Sequence, residues 1–157
     1  MCACTKMAAV GSRGVFQAIG KSRGGPTTKI HAVVDALGNP IELALSEGQA
    51  HDITSAPGLL SDVHDASVLA DMAYDSAELR KMLEANGNRS VIPSNPTRAV
   101  QYALDRHTYR ERWLVEDFFR RLKRYRRIAT RYEKRARMFF AFVLLASVLI
   151  WLAWSWS

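Results

Sequence analysis

The sequence predicts an α/β fold built on a mixed sheet. Three observations carry this: a pair of β-type runs joined by a Gly-Asn turn, a strand–helix–strand alternation after it, and long helical stretches that finish the chain. The chain has 157 residues, 48% of them apolar and 24% charged. That composition is ordinary for one globular domain with a real core, and it excludes a wholly disordered chain.

Residues 1–26 are rich in Gly, Ala and Lys/Arg and show weak periodicity. They read as a basic loop, mobile without a partner. Next, "TTKIHAVVDALGNPIELALSEG" holds β-type runs at 27–35 and 40–46, with "ALGN" as the hairpin turn. "DITSAPGLLSDV" reads as a short helix with Asp52 as its N-cap. "SVLADMAYDS" gives a buried strand over 67–70 that ends at Asp71. "DSAELRKMLEANG" is a helix capped by Asp75 or Ser76 and stopped by Asn86-Gly87. "RSVIPSNP" is a short strand broken by Pro93 and Pro96. A loop follows to about residue 105, and a long helical segment starts near Tyr109. Strand–helix–strand units place ligands beyond the carboxyl ends of their strands, and Asp71 sits at such an end.

Charge is distributed unevenly. The net charge is +7 with a pI of about 9.8. Residues 106–137 hold 13 Lys+Arg against 4 Asp+Glu, residues 32–105 hold 4 against 11, and residues 1–31 hold 5 bases and no acid. A basic surface points to nucleic acid. A plain binding module has little use for an acidic centre, whereas a metal-dependent enzyme acting on nucleic acid needs both signs. The two cysteines, Cys2 and Cys4, stand as C-x-C with no second pair, which is a poor zinc site and no disulfide framework. No apolar run follows Met1, so no signal peptide is read.

The stretch "YRERWLVEDFFRRLKRYRR" mixes aromatics, leucines and arginines, with Glu116 placed among the cations. Tyr109, Arg112, Glu116 and Lys123 fall within roughly a 60° arc of a continuous helix at about 100° per residue. One face would carry a ring hydroxyl, two bases and a carboxylate, an order that suits phosphodiester chemistry. On periodicity alone, the same residues also describe an amphipathic helix with a solvated charged face and an ordinary i,i+4 Arg–Glu pair.

The spacing Y-x2-R-x3-E-x6-K resembles the signature around the catalytic glutamate of bacterial insertion-sequence transposases. The blocks "RGGPTTKIHAVVDALGNP", "GQAHDITSAPGLL", "VLADMAYDSAELR" and "IATRYEKRARMFFAFVLLASVLIWL" are similar to those of the insertion-sequence-five-like group. The resemblance runs over about residues 8–152. It implies a DDE transposase with a ribonuclease-H-like catalytic domain, its mixed sheet flanked by helices. By position it implies Asp71 and Glu116 as catalytic residues and ligands of Mg²⁺ or Mn²⁺. Arg112 and Lys123 would contact DNA or steady the acids, and Tyr109 completes the motif.

One departure matters. The group's first catalytic Asp lies on the first strand, upstream of the Gly-rich loop, and no Asp or Glu precedes Asp35 here. The sequence is therefore expected to lack that acid and most of the first strand, as an N-terminally truncated chain. Two Mg²⁺ ions about 3.5–4 Å apart, held by carboxylates from several elements, activate the attacking oxygen and stabilise the leaving one. Without the bridging Asp, Asp71 and Glu116 would hold one metal weakly. A chain from an upstream reading frame could supply the strand and the acid.

The remaining signals are weighed beside their plainer readings. Asp75 is an N-cap before it is a ligand, and His31 is a core or edge histidine. The bases Arg13, Lys21, Arg23 and Lys29 either track phosphates or form a solvated tail. The run Arg120, Arg121, Lys123, Arg124, Arg126, Arg127 and Arg131 is dense enough for DNA-backbone contact, with Arg120, Lys123, Arg124 and Arg127 foremost beside Tyr109 and Arg112. Residues 138–157 carry no charge and are long enough to span a bilayer; the resemblance makes them a buried helix on the sheet instead. The expected organisation is a basic remnant over 1–26, a truncated catalytic domain over 27–152 and a tail over 153–157. The expected partners are DNA at element ends and target, with a homo-oligomer in the full-length protein and no membrane, in the bacterial cytoplasm. The alternatives are a non-catalytic DNA-binding remnant and a small membrane protein anchored by 138–157.

Overall fold

A computed structural model describes residues 2–9, 18–22 and 25–154. The bases Arg13 and Arg23 and the end of the expected tail, residues 155–157, lie outside the described residues.

The centre of the larger sheet is β3 (Gly25–Val34). Its residues 27–34 are buried on both faces. Val, Ile and Ala alternate there with Thr, Lys and His, so the two faces differ in chemistry. β3 turns back into β4 (Pro40–Glu47) through residues 35–39. The turn is made by Asp35, whose Oδ1 accepts from the backbone N–H of Leu37 at 2.8 Å and Asn39 at 2.9 Å. Gly38 sits there at φ +82°, in the left-handed region that glycine reaches without strain. The predicted hairpin thus forms at the predicted place.

On the other edge of β3 lies β1 (Cys2–Ala9), antiparallel, with Cys2 opposite Val33 and Ala8 opposite Thr27. β2 (Gly20–Ser22) pairs with the start of β3. β7 (Thr130–Arg131) pairs in parallel with the end of β1. Residues 1–26 are therefore more than a loop. Cys2–Ala9 form a strand between β3 and β7, and that strand contains no carboxylate.

The second sheet is a parallel pair, β5 (Ser67–Leu69) and β6 (Arg89–Val91). They are joined by α2 (Ala77–Ala85). Ser76, and not Asp75, caps α2 by accepting from Leu79 N–H at 3.3 Å. Asn86 closes it and Gly87 follows at φ +73°, the usual left-handed exit. The helix predicted from "DITSAPGLLSDV" is a 3-10 turn, Asp52–Ser55, running into α1 (Ala56–Leu60). Asp52 does not cap it; the Asp52 carboxylate instead pairs with the Lys29 ammonium.

Two cores flank β3. On one face Ile30, Ala32 and Val34 pack under α4 (Trp113–Leu122) and α6 (Ala136–Trp154). On the other, Val33 packs with α1, α2 and β5. Lys29 and His31 share that second face by strand parity. His31 Nε2 lies 2.7 Å from Ser46 Oγ, and burial pushes the imidazole down to about 4. The unfolded imidazole protonates near pH 6.5 and the folded one resists it. This stabilisation is complete above 6.5 and is lost as pH falls toward 4, by about 1.4 kcal/mol per pH unit. The melting temperature should therefore drop between pH 6.5 and 4, and the drop should be shallower in His31→Gln.

α6 is long and apolar enough to cross a membrane by length and composition. Phe139, Val143, Ala146 and Ile150, at helical spacing, are buried against the sheet and α4. The predicted packing of this block on the sheet therefore forms along one face. Leu144, Leu145, Val148, Leu149 and Leu152 remain exposed on the opposite side.

Candidate active site

Asp71 stands one residue past β5, after Ala70, and starts a 3-10 turn, Met72–Tyr74. Its side chain caps nothing there, and the carboxylate instead pairs with Arg112 from the turn that leads into α4. Glu116 comes from that helix. α4 buries Leu114, Val115, Phe118, Phe119 and Leu122, a stripe at helical spacing that fixes its rotation on the sheet. Glu116 lies beside this stripe, exposed, where its carboxylate accepts from Arg112 one turn earlier.

The helical segment begins at Arg106 rather than near Tyr109. Asp105 caps α3 (Arg106–Tyr109) by accepting from the N–H groups of His107 and Thr108, both at 3.1 Å. The Thr108 N–H and hydroxyl, with Arg89 after them, hold the Asp105 carboxyl below its usual range. Residues Arg110–Arg112 then tighten to a 3-10 turn before α4. In 3-10 geometry residues i and i+3 nearly eclipse. Tyr109 and Arg112 do so, with the guanidinium carbon 5.8 Å from the ring centre.

Arg112 joins the two acids. Its Nη1 is 3.0 Å from Asp71 Oδ1, and its Nη2 donates to Glu116 Oε1. Burial alone would lower the Arg112 pKa, but the Asp71 and Glu116 carboxylates outweigh it and raise it. Tyr109 is raised by burial first, and the two carboxylates add to the rise. Two residues 45 positions apart in the chain therefore share one guanidinium. Lys123, the fourth member of the spacing, follows the end of α4, exposed and two turns beyond Glu116. The structure thus brings Tyr109, Arg112, Glu116 and Asp71 together and leaves Lys123 at a distance along the helix.

The basic run divides by partner. Arg120 donates through Nε to Asp117 at 2.9 Å, and Arg121 Nε lies 2.9 Å from the other oxygen of the same carboxylate. Arg127 pairs with Glu133 at 3.1 Å and lies over the Phe142 ring. Arg131 does not face solvent. It is fully buried, stacks on Phe139 at 4.7 Å and donates to the Glu133 carbonyl at 3.0 Å. Lys123 and Arg124 are exposed. Lys29 is also buried, donating to the Ala50 carbonyl as well as pairing with Asp52, so it is not a surface base. Its place in an alternating strand beside His31 was the available signal.

Asp75 is neither cap nor ligand. Its side chain is 1% exposed. It accepts from Arg80 Nε at 2.9 Å, Arg98 Nη1 at 3.1 Å and Asn95 N–H at 2.8 Å. Burial would raise its pKa, but the Asn95 N–H and the two guanidiniums outweigh that and hold it below the carboxylate range. Arg80 also donates to the Ile92 carbonyl at 2.8 Å and lies 4.2 Å from the Tyr102 ring centre. This clamp ties α2 to the chain beyond β6. Sequence reasoning missed it because its partners lie 5, 20 and 23 residues from Asp75.

Two hard carboxylates gathered around one guanidinium are of the ligand type that a hard divalent cation takes, with water completing its shell. Among the described residues no group of three or more His, Cys, Asp or Glu is placed to hold a metal. Two acids with cations beside them are the groups that metal-dependent phosphodiester chemistry uses. Residues 9–151 match the transposase DDE domain family, and the chain belongs to that family. It has the ribonuclease-H-like α/β class of that domain. It is similar to the protein assigned as transposase of insertion sequence element IS6501 of Brucella ovis, 44% identical over 128 residues, which span 80% of this chain and 98% of the relative. It is also similar to the protein assigned as transposase of element IS402 of Burkholderia cepacia, 30% identical over 140 residues, which span 82% of this chain and 64% of that relative. No solved structure matches. The family and relatives make this an insertion-sequence transposase sequence.

Proposed function

We propose that Asp71 and Glu116 form the metal-binding part of a DNA strand-cleavage and strand-transfer site. The observation that carries this is their convergence on the Arg112 guanidinium from separate elements. When bound, Mg²⁺ or Mn²⁺ would activate the attacking oxygen and stabilise the leaving one. Asp71 and Glu116 supply the oxygen ligands. Tyr109 and Arg112 border the position of the scissile phosphate, and exposed Lys123 and Arg124 extend a cationic track along the neighbouring backbone. Arg120 and Arg127, themselves exposed, can join it by exchanging their half-buried carboxylate partners Asp117 and Glu133 for phosphate.

Strand β1 beside β3 carries no Asp or Glu. On this reading a further acid from outside this sequence completes the ligand set, an upstream-frame product being one source. Incubated with an element-end duplex and Mg²⁺ or Mn²⁺, the 157-residue chain should show no strand cleavage while still binding DNA in a strongly salt-dependent manner. Turnover by the isolated chain would overturn the missing-acid reading. Retained salt-dependent binding without cleavage, even when an acid-bearing chain is added, would favour the DNA-binding remnant. The bare apolar side of α6 supports assembly with a further copy in the bacterial cytoplasm. A membrane anchor is disfavoured because the other face of α6 is already buried on the sheet.

A further inference from the structure

We infer that Arg112 is an internal counter-ion that holds the cation position between Asp71 and Glu116 until a DNA phosphate draws it away. Metal and DNA would then bind cooperatively. The inference rests on the reading of Asp71 and Glu116 as metal ligands.

The geometry carries it. A guanidinium offers two parallel donor edges in a rigid plane. Arg112 spends one nitrogen on each acid, and those are the oxygens a divalent cation would take. Cation and guanidinium therefore compete for the same two oxygens. The Arg112 side chain is 23% exposed, against 44% for Asp71 and 59% for Glu116. The pairs are wet enough to be weak, since exposed ion pairs contribute only about 0–1 kcal/mol each. The guanidinium is thus exchangeable. A phosphodiester is the natural competitor, because it accepts from arginine in the same paired way as a carboxylate. Tyr109 beside the guanidinium gives the released side chain an aromatic wall to lie on. Lys123 and Arg124 stand exposed farther along the same helical segment, where the backbone flanking that phosphate would run. Because coupling is reciprocal, a phosphate that removes Arg112 tightens the metal by the same factor by which metal tightens DNA.

The test is a Mn²⁺ titration followed by the paramagnetic resonance of free Mn²⁺ at constant ionic strength. It is run on the 157-residue chain with and without a non-specific 20-base-pair duplex. Mn²⁺ bound by the duplex itself is subtracted with the Asp71→Asn/Glu116→Gln protein. Without DNA, Arg112→Gln should bind Mn²⁺ about tenfold more tightly than the natural chain, the effect of about 1.4 kcal/mol of relieved competition. The duplex should tighten the natural chain by a similar factor and leave Arg112→Gln unchanged. Arg112→Lys, which keeps the charge but not the two-edged bridge, should fall between them, and circular dichroism melts confirm that each variant is folded. If Arg112→Gln binds no more tightly while Asp71→Asn loses binding, the counter-ion role is overturned and the metal reading stands. If the duplex tightens Arg112→Gln as much as the natural chain, the cooperative link through Arg112 is overturned. If Asp71→Asn and Glu116→Gln bind like the natural chain, the metal reading itself fails.

Discussion

Asp75→Ala should cost the fold about 3–5 kcal/mol, the penalty for breaking a buried ion pair and leaving its partners uncompensated. The carboxylate is 1% exposed and is the shared acceptor of Arg80, Arg98 and the Asn95 N–H. Removing it strands the Arg80 guanidinium, which is itself 7% exposed, among α2, β6 and Tyr102. A total stability of about 5–15 kcal/mol is typical of a small domain, so this one change could consume most of it. Denaturant unfolding of the variant and the natural chain measures the loss. Asp75→Asn should cost less, because its amide oxygen still accepts from Asn95 and one guanidinium. A variant as stable as the natural chain would show that the clamp contributes nothing. The pH dependence is a second check. The folded carboxyl lies below the ordinary range, so its contribution is complete above about pH 4 and fades as the pH falls further. Asp75→Ala should remove that acid-side slope.

Phe118→Ala should cost about 3–5 kcal/mol as well, for a different reason. Phe118 is fully buried, in the cluster where α4 meets β3 and α6, with its ring 5.4 Å from that of Phe119. Truncation leaves a cavity that a helix pinned on two sides cannot close. The consequence reaches the site, because the stripe that buries Phe118 also sets the rotation of Glu116 toward Asp71. Thermal melts should show the lost stability, and Mn²⁺ binding by the folded fraction should weaken. A Phe118→Leu chain, which fills much of the space, should recover most of both. Unchanged stability in Phe118→Ala would mean that α4 is held elsewhere.

Much of this was legible in the chain. The hairpin over residues 35–39 was marked by local turn chemistry, α2 by Ser76 and Asn86-Gly87, and α4 by its apolar stripe. These signals act within a few residues, so a linear reading captures them. Glu116 and Asp71 were marked by spacing and by the end of a strand. The errors had a common cause. Asp52, Asp75, Lys29 and Arg131 look like a cap, a cap, a phosphate contact and a surface base when read with their neighbours. Each is bound to groups far along the chain: Asp52 to Lys29, Asp75 to Arg98, and Arg131 in a buried site against Phe139 and Thr28. A buried charge takes whatever partner removes its desolvation cost, and only folding reveals which partner is near.

By itself the sequence determined the α/β order, the positions of the two acids, and the absence of any carboxylate before Asp35. The first and last are properties of composition and local period, and the two acids stood out through the resemblance of their sequence blocks to a known family. Tertiary structure alone decided that Asp71 and Glu116 meet on the one Arg112 guanidinium. That meeting depends on how α4 seats its apolar stripe on β3 and how the end of β5 faces it. Packing of this kind joins residues by distance in space, which no pattern along the chain encodes.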